Sequence, residues 1–354
     1  MVLVLLAMAA LWGVGLATRA SIRLRLVMIG AVWVAVVLLH LVLPDGHPLR
    51  LATGEQARVW LALGIVVALV AGYRAVLGRV RTRAAPLAAP APTGRFSPAE
   101  LVRYARHITL REIGGTGQRR LRDARVLVVG AGGLGSPVLM YLCASGVGRI
   151  GVIDDDVVEN ANLARQIIHA DARIGMPKVF SAEIAMKALN PFIEVRPYNR
   201  RLTEDVAEGL FADHDLILDG SDNFDTRYLV NQTAVAAGIP LIAAAITQWE
   251  GQLSLYHPAA GGPCFACIFP DRPAPGMVPT CAEAGVAGPL PGVIGAMMAV
   301  EAVKHLTGAG QTLMGRLMIH DALHAETRVI TAYKRTDCAV CGTPARAGRP
   351  LPLQ

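Results

Sequence analysis

The sequence predicts an α/β domain on a mostly parallel sheet, with an antiparallel extension behind it and an apolar helical segment in front. Three observations carry this. Between residues 125 and 245, β-forming runs alternate with runs of helical period, the order that makes a parallel sheet covered on both faces. The first of those strands runs straight into Gly130, Gly132, Gly133 and Gly135, and a helical pattern follows. Of the 354 residues, 53% are hydrophobic and only 17% charged, a skew towards membrane segments.

Three apolar runs open the chain, at residues 1–18, 26–43 and 59–76. Each is long enough, or nearly so, to cross about 30 Å of hydrocarbon as a helix. The first lacks a positively charged start, so it reads as a retained span rather than a cleaved signal peptide. Arg74, inside the end of the third, would snorkel towards the interface. Arg19, Arg23 and Arg25 fill the first short loop without an acid, the second loop mixes Asp45, Arg50, Glu55 and Arg58, and Arg79, Arg81 and Arg83 follow the third run. Positive-inside logic puts the first loop and everything after residue 78 in the cytoplasm, with the N-terminus outside. Residues 1–83 are therefore expected to be a transmembrane anchor of about three helices in the inner (cytoplasmic) membrane; the alternative is a buried helical bundle. Much of the net charge of +7 belongs to these arginine patches. Aromatics are 5% of the chain and form no aromatic–basic repeats, which argues against a nucleic-acid partner. Residues 84–94, rich in Ala and Pro, cannot build a core and read as a semi-extended linker.

A domain over residues 95–345 follows, with a tail at 346–354. It starts on a specified helix: Ser97 as N-cap, Pro98 in the first turn, Glu100 closing a capping box, and Phe96 and Leu101 placed as a hydrophobic staple. Strands are expected at 125–129, 149–153, 193–198, 215–219 and 240–245, and helices at 134–145, 177–189, 203–212 and 224–237. From Gln248 the pattern changes. Residues 252–256, 316–320 and 326–333 read as antiparallel strands, and 291–306 as a buried helix.

A strand entering a helix through G-x-G-x-x-G is a phosphate cradle: the glycines permit the turn and the close approach, and the helix N-terminus offers free N–H groups to an anion. Asp154 ends the second strand about 20 residues on, where a ribose hydroxyl is usually held. This Rossmann-like signature says nucleotide, and its commonest owner is a nicotinamide or flavin enzyme. Later residues favour another nucleotide. Asp154, Asp155 and Asp156 form an acidic loop, and Asn162, Arg165 and Gln166 follow it. Lys178 opens the next helix, where a cation opposes the macrodipole, so an anion is expected to offset it. Two acids, Asp219 and Asp222, and the amide of Asn223 lie at or just past the C-end of a strand, where open α/β sheets bind ligands. Arg165, Lys178 and Asp222 together look like a clamp for a triphosphate and its Mg²⁺, which a dinucleotide enzyme would not need.

Four of the six cysteines form two C-x-x-C pairs, Cys264 with Cys267 and Cys338 with Cys341. Two such pairs suit tetrahedral S₄ coordination of Zn²⁺ without an open position, a structural site. Cys143, mid-helix among apolar residues, reads as core. Cys281, in a loop before the buried helix, reads either as a nucleophile or as a dispensable residue.

Residues 97–342, about 70% of the chain, resemble the MoeB/ThiF/HesA family, bacterial relatives of ubiquitin-activating enzymes. The resemblance rests on Arg103, Tyr104, Arg106 and His107, the Gly130–Gly135 loop, Asp154 with Asp156, and Asn162, Arg165 and Gln166. Lys178, Asp222, Asn223, Glu250, Gln252, Thr280, Cys281, Gly285 and the paired cysteines complete it. The family would have Asp154 hold the ATP ribose, Arg165 and Lys178 contact phosphates, Asp222 position Mg²⁺, and Asn162 complete the site with Arg106 from the second subunit of a homodimer. It implies ATP-dependent adenylation of the C-terminal Gly-Gly carboxylate of a ubiquitin-like sulfur carrier. The molybdopterin-synthase adenylyltransferase branch is the one resembled most, with the thiamine-pathway branch next. A nicotinamide-dependent oxidoreductase is the alternative of another class. The sequence ends at Gln354, soon after the second cysteine pair, so sulfur is expected from a separate donor.

Overall fold

A computed structural model describes residues 2–18, 21–54, 56–83, 96–272 and 284–342. Cys281, residues 84–94 and residues 346–354 lie outside the described residues. The chain divides into two compact units, Met1–Leu87 and Ala88–Gln354.

The first unit holds helices α1 (Val2–Ala17), α2 (Ile22–Val42), α3 (Pro48–Thr53) and α4 (Ala57–Arg83). Two apolar stretches, Leu24–Val42 and Pro48–Arg74, are long and apolar enough to cross a membrane; the second is broken at Gly54 between α3 and α4. Helix α1 has 16 residues, about 24 Å at 1.5 Å per residue, and so falls short of the first expected span. The unit has a small core of Val4, Val36, Val37 and Trp60. Trp33 Nε1 donates to the Trp60 carbonyl (3.1 Å) and Trp60 Nε1 to the Thr53 carbonyl (3.2 Å), which ties α2, α3 and α4 together. Most other apolar side chains here are exposed, Leu38, Leu41, Ile65 and Leu69 among them.

In the second unit, α5 (Pro98–Arg103), α6 (Ala105–Ile108) and α7 (Gly114–Asp123) precede an eight-stranded sheet. The capping box forms as expected: Ser97 N–H donates to Glu100 Oε2 (2.8 Å) and Glu100 N–H to Ser97 Oγ (3.3 Å). Phe96 meets Tyr104 edge-on and lies under the Arg122 guanidinium, whereas Leu101 is exposed, so the staple is not the contact that Phe96 makes. Helix α7 escaped the sequence reading because it opens on Gly114, Gly115 and Thr116, poor helix formers. Burial of Leu121 and of Gln118, which donates to the Ser145 carbonyl (2.9 Å), holds it.

The strands are β1 (Arg125–Val129), β2 (Arg149–Asp154), β3 (Glu194–Asn199), β4 (Leu216–Asp219), β5 (Leu241–Thr247), β6 (Glu250–Tyr256), β7 (Arg316–Asp321) and β8 (Glu326–Thr331). Their order is β3-β2-β1-β4-β5-β6-β7-β8, parallel from β3 to β5 and antiparallel from β5 to β8. The change of direction expected after Gln248 is a two-residue turn, Gln248-Trp249, with Gln248 at φ +29°. The helices over the sheet are α8 (Gly135–Ser145), α9 (Lys178–Leu189), α10 (Glu204–Ala212) and α11 (Phe224–Ala237), with α12 (Phe265–Ile268) and α13 (Leu290–Thr307) after β6.

Period-2 alternation sorts the central strands onto two cores. Val126, Val128, Ile150, Val152, Leu216 and Leu218 pack with α8, α9 and α13. Leu127, Val129, Ile153 and Ile217 pack with α10 and α11. Both cores therefore brace the C-terminal ends of β1, β2 and β4, and the candidate site lies there.

Candidate nucleotide site and cysteine cluster

The turn from β1 into α8 is built by glycine. Gly130 has φ +92°, and a Cβ on Gly135 would lie 2.0 Å from the Gly130 carbonyl oxygen, so no side chain fits at 135. The loop turns its carbonyls away. Ala131 C=O meets a ring nitrogen of His169 at 2.9 Å, and Gly132 C=O accepts from Ser136 N–H (2.9 Å) and Ser136 Oγ (2.7 Å). The N–H groups of Gly132, Gly133 and Leu134 have no acceptor among the described residues. A row of unpaired backbone donors at a helix N-terminus is an anion site.

Asp154, at the end of β2, ties this loop to the acidic one. Its Oδ2 accepts from Ala131 N–H and its Oδ1 from Asp156 N–H, both at 2.8 Å. Burial raises its pKa, opposed by those two N–H groups and by Lys178. Each carboxylate oxygen keeps a second lone pair for a ligand hydroxyl.

Lys178 is 5% exposed at the first turn of α9, and its Nζ lies 2.7 Å from Asp156 Oδ2. Asp156 is thus the anion that offsets a cation set against the helix dipole. Asn162 and Arg165 are neighbours: Arg165 Nη2 donates to Asn162 Oδ1 and Nη1 to the Ala161 carbonyl, both at 3.2 Å. Gln166 is buried, its Nε2 beside Gly132 and its Oε1 without a partner among the described residues. Asp222 is exposed past the end of β4 and makes no hydrogen bond or ion pair to the described residues, so its carboxylate chemistry suits Mg²⁺. Asn223 caps α11 through Thr226 N–H (2.8 Å), a local structural part as well as a place at the rim. Arg106 is exposed on α6, and no described hydrogen bond joins its side chain to the loop.

Two further residues at the site are buried, and only one of them, Asp219, is marked in the sequence. His169 lies among Ile167, Ile168 and Ala170, and nothing in its chain neighbours sets it apart. Asp219 is 1% exposed; its Oδ1 accepts from Ser221 N–H (2.9 Å) and Oγ (2.6 Å), and its Oδ2 has no partner among the described residues. Its place at the end of a parallel strand is the signal that marks it, with Asp222, in the sequence.

Far along the chain, the four paired cysteines converge. Their sulfurs all lie within 4.8 Å of one another, with Cys264–Cys267 at 3.9 Å, Cys264–Cys338 at 3.6 Å and Cys267–Cys341 at 3.4 Å. A tetrahedron with Zn–S bonds of about 2.3 Å has edges of about 3.8 Å, so the set fits zinc. Arg335 N–H donates to Cys267 Sγ (3.4 Å). Burial and the neighbouring sulfurs raise the Cys264 thiol and hold Cys341 at about 11, while, against burial, backbone N–H groups bring Cys338 down to about 7, and a bound cation would favour the thiolate of each. Cys143 is buried and donates to the Met186 carbonyl (3.2 Å), with burial holding its pKa at about 12, as a core residue should be.

The profile of the family described as ThiF matches residues 104–340. The chain belongs to the ThiF family. Its first helical unit lies outside that match. This ThiF-family chain is 48% identical over 252 residues to the sulfur carrier protein adenylyltransferase of Thermus thermophilus, covering 70% of this chain and 93% of that one. It is also 48% identical over 246 residues to the probable adenylyltransferase/sulfurtransferase MoeZ of Mycobacterium tuberculosis, covering 69% of this chain but 63% of MoeZ. It thus spans less than two thirds of that relative. Crystalline MccB of E. coli, with MccA-N7isoASN, superposes with a TM-score of 0.61 at 22% identity over 68% of this chain and 75% of MccB, a likeness of fold. The chain is an adenylyltransferase of the ThiF type, and the family implies ATP as its substrate. The nicotinamide alternative falls with that.

Proposed function

We propose that this chain adenylates the C-terminal Gly-Gly carboxylate of a ubiquitin-like sulfur carrier. A carrier oxygen attacks the α-phosphorus of ATP, an acyl–phosphate bond forms, and pyrophosphate leaves with the electron pair of the broken P–O bond. The carboxylate is already a competent nucleophile, so the protein need supply only position and charge. The observation that carries the reading is the row of N–H groups at Gly132, Gly133 and Leu134 without an acceptor among the described residues, with buried Lys178 paired to exposed Asp156 at the same Asp154 junction. Asp154 takes the ribose, and Gln166, Asn162 and Arg165 line the phosphate side, Arg165 leaving Asn162 and the Ala161 carbonyl to join Lys178 in meeting the developing charge. Asp222, next to Asn223 in the chain, would hold Mg²⁺, which supplies further neutralisation. Arg106 enters from a second copy in a homodimer. Cys281 acts, if at all, after adenylation, when a separate donor brings sulfur.

The carrier is expected to be the small subunit of molybdopterin synthase. ATP–pyrophosphate exchange stimulated by that carrier supports the assignment. Exchange stimulated only by the thiamine-pathway carrier would move it to the other branch, and exchange with neither would overturn it.

The same proposal places α2 and α4 across the inner membrane and the adenylating domain in the cytoplasm. Its support is the outward-facing leucines, the two long apolar stretches, and a net charge of +7 contributed by residues 1–94, where nine arginines meet two acids. The full chain should resist carbonate extraction, and reporters fused after residue 94 should report cytoplasm. A chain released by carbonate would remove the span assignment.

A further inference from the structure

One buried histidine has no part in that account. His169 is 7% exposed and lies between the glycine loop and α9. Its Nε2 is 2.9 Å from the Ala131 carbonyl oxygen, and its Nδ1 is 2.9 Å from Ser181 Oγ. A carbonyl oxygen only accepts, so Nε2 carries the proton and Nδ1 accepts from the Ser181 hydroxyl. Burial holds the imidazole down at about 4, so the ring is neutral at pH 7. Arg173 braces the same corner, donating through Nη1 to the Ser181 carbonyl and through Nη2 to the Ile168 carbonyl (3.2 Å).

Ala131 is therefore held at both ends, its N–H by Asp154 Oδ2 and its C=O by His169. The peptide joining it to Gly132 is planar and trans, so the Gly132 N–H points opposite to that carbonyl, away from His169. That N–H is the first of the free donors. With the carbonyl released, the 131–132 peptide could turn over, because glycine accepts either orientation. An oxygen would then face the anion in place of a donor.

We propose that His169 is a positioning residue of the nucleotide site, fixing the 131–132 peptide so that the Gly132 N–H meets a phosphate of ATP. Ser181 is its second member, because its hydroxyl selects the tautomer that donates to Ala131. The proposal rests on the ATP-dependent reading above.

The test is calorimetric titration of the full-length chain with ATP, alongside the KM values for ATP and for the carrier in exchange. His169→Leu should weaken ATP tenfold to a hundredfold, the scale of one hydrogen bond to a charged group. The KM for ATP should rise by the same factor, and the KM for the carrier should not move. His169→Gln, whose amide nitrogen reaches the same carbonyl, should recover most of the affinity. Ser181→Ala should weaken ATP by less, and the double variant with His169→Leu should be no worse than His169→Leu alone, since both act through one carbonyl. Wild-type ATP affinity in His169→Leu, or losses that simply multiply in the double variant, would overturn the proposal. Should His169→Leu fail to fold, Ser181→Ala and His169→Gln decide: undiminished affinity in the first, or none in a folded second, overturns it. A wild-type chain that binds no ATP would instead remove the functional reading itself.

Discussion

The glycine loop and the cysteine cluster are both turns that gather polar atoms, and they treat those atoms in opposite ways. At the loop, the Ala131 and Gly132 carbonyls are taken up by His169 and Ser136, while three backbone N–H groups have no acceptor among the described residues. At the cluster, four sulfurs close on one another at tetrahedral spacing. An arrangement that leaves donors unsatisfied is made to receive something that comes and goes. One whose ligands fill every corner is made to stay shut. The difference separates the part of the domain that reacts from the part that holds it together.

The largest effect is expected from opening the closed side. Cys264→Ser with Cys341→Ser should reduce bound zinc from one ion per chain to none and lower the melting temperature sharply, because the binding energy of a structural zinc is folding energy. Metal analysis with a thermal melt checks this, and full zinc retention would break the comparison.

A smaller effect is expected from acid, on the buttress of the open side. His169 is neutral in the fold with a pKa of about 4, and burial also lowers His214 and His305. An unfolded histidine titrates near 6.5. Below that pH the unfolded chain binds more protons than the folded one, so stability is whole above about pH 6.5 and declines towards pH 4. For His169 alone the loss is about 3 kcal/mol. Urea titrations across that range should show it, and His169→Gln should flatten the slope. An unchanged slope would mean that the ring is charged in the fold.

Much of this was legible in the sequence, where local chemistry and tertiary role agree. The β1 strand, the glycines and the α8 pattern are each read from neighbours in the chain, and the two C-x-x-C pairs needed only spacing. Lys178 was legible as a contradiction, a cation at a helix N-terminus, which Asp156 resolves from 22 residues away. Helix α7 and His169 were not. The first has glycines where a helix should start and is held by burial of Leu121 and Gln118. The second earns its place through Ala131 and Ser181, 38 and 12 residues distant. At the N-terminus hydropathy showed apolar helices but not that α1 would stop at 16 residues.

Adenylation by the proposed route needs charge and position, and no nucleophile from the enzyme. ATP–pyrophosphate exchange with the carrier, measured in Lys178→Ala, Asp222→Ala and Cys281→Ala side by side, tests it most directly. Losing one electrostatic contact of this kind commonly costs on the order of 10²–10³ in rate, so the first two variants should fall that far. Cys281→Ala should exchange at the wild-type rate. Exchange lost in Cys281→Ala, with fold and zinc content intact, or preserved in Asp222→Ala and Lys178→Ala, would contradict the account.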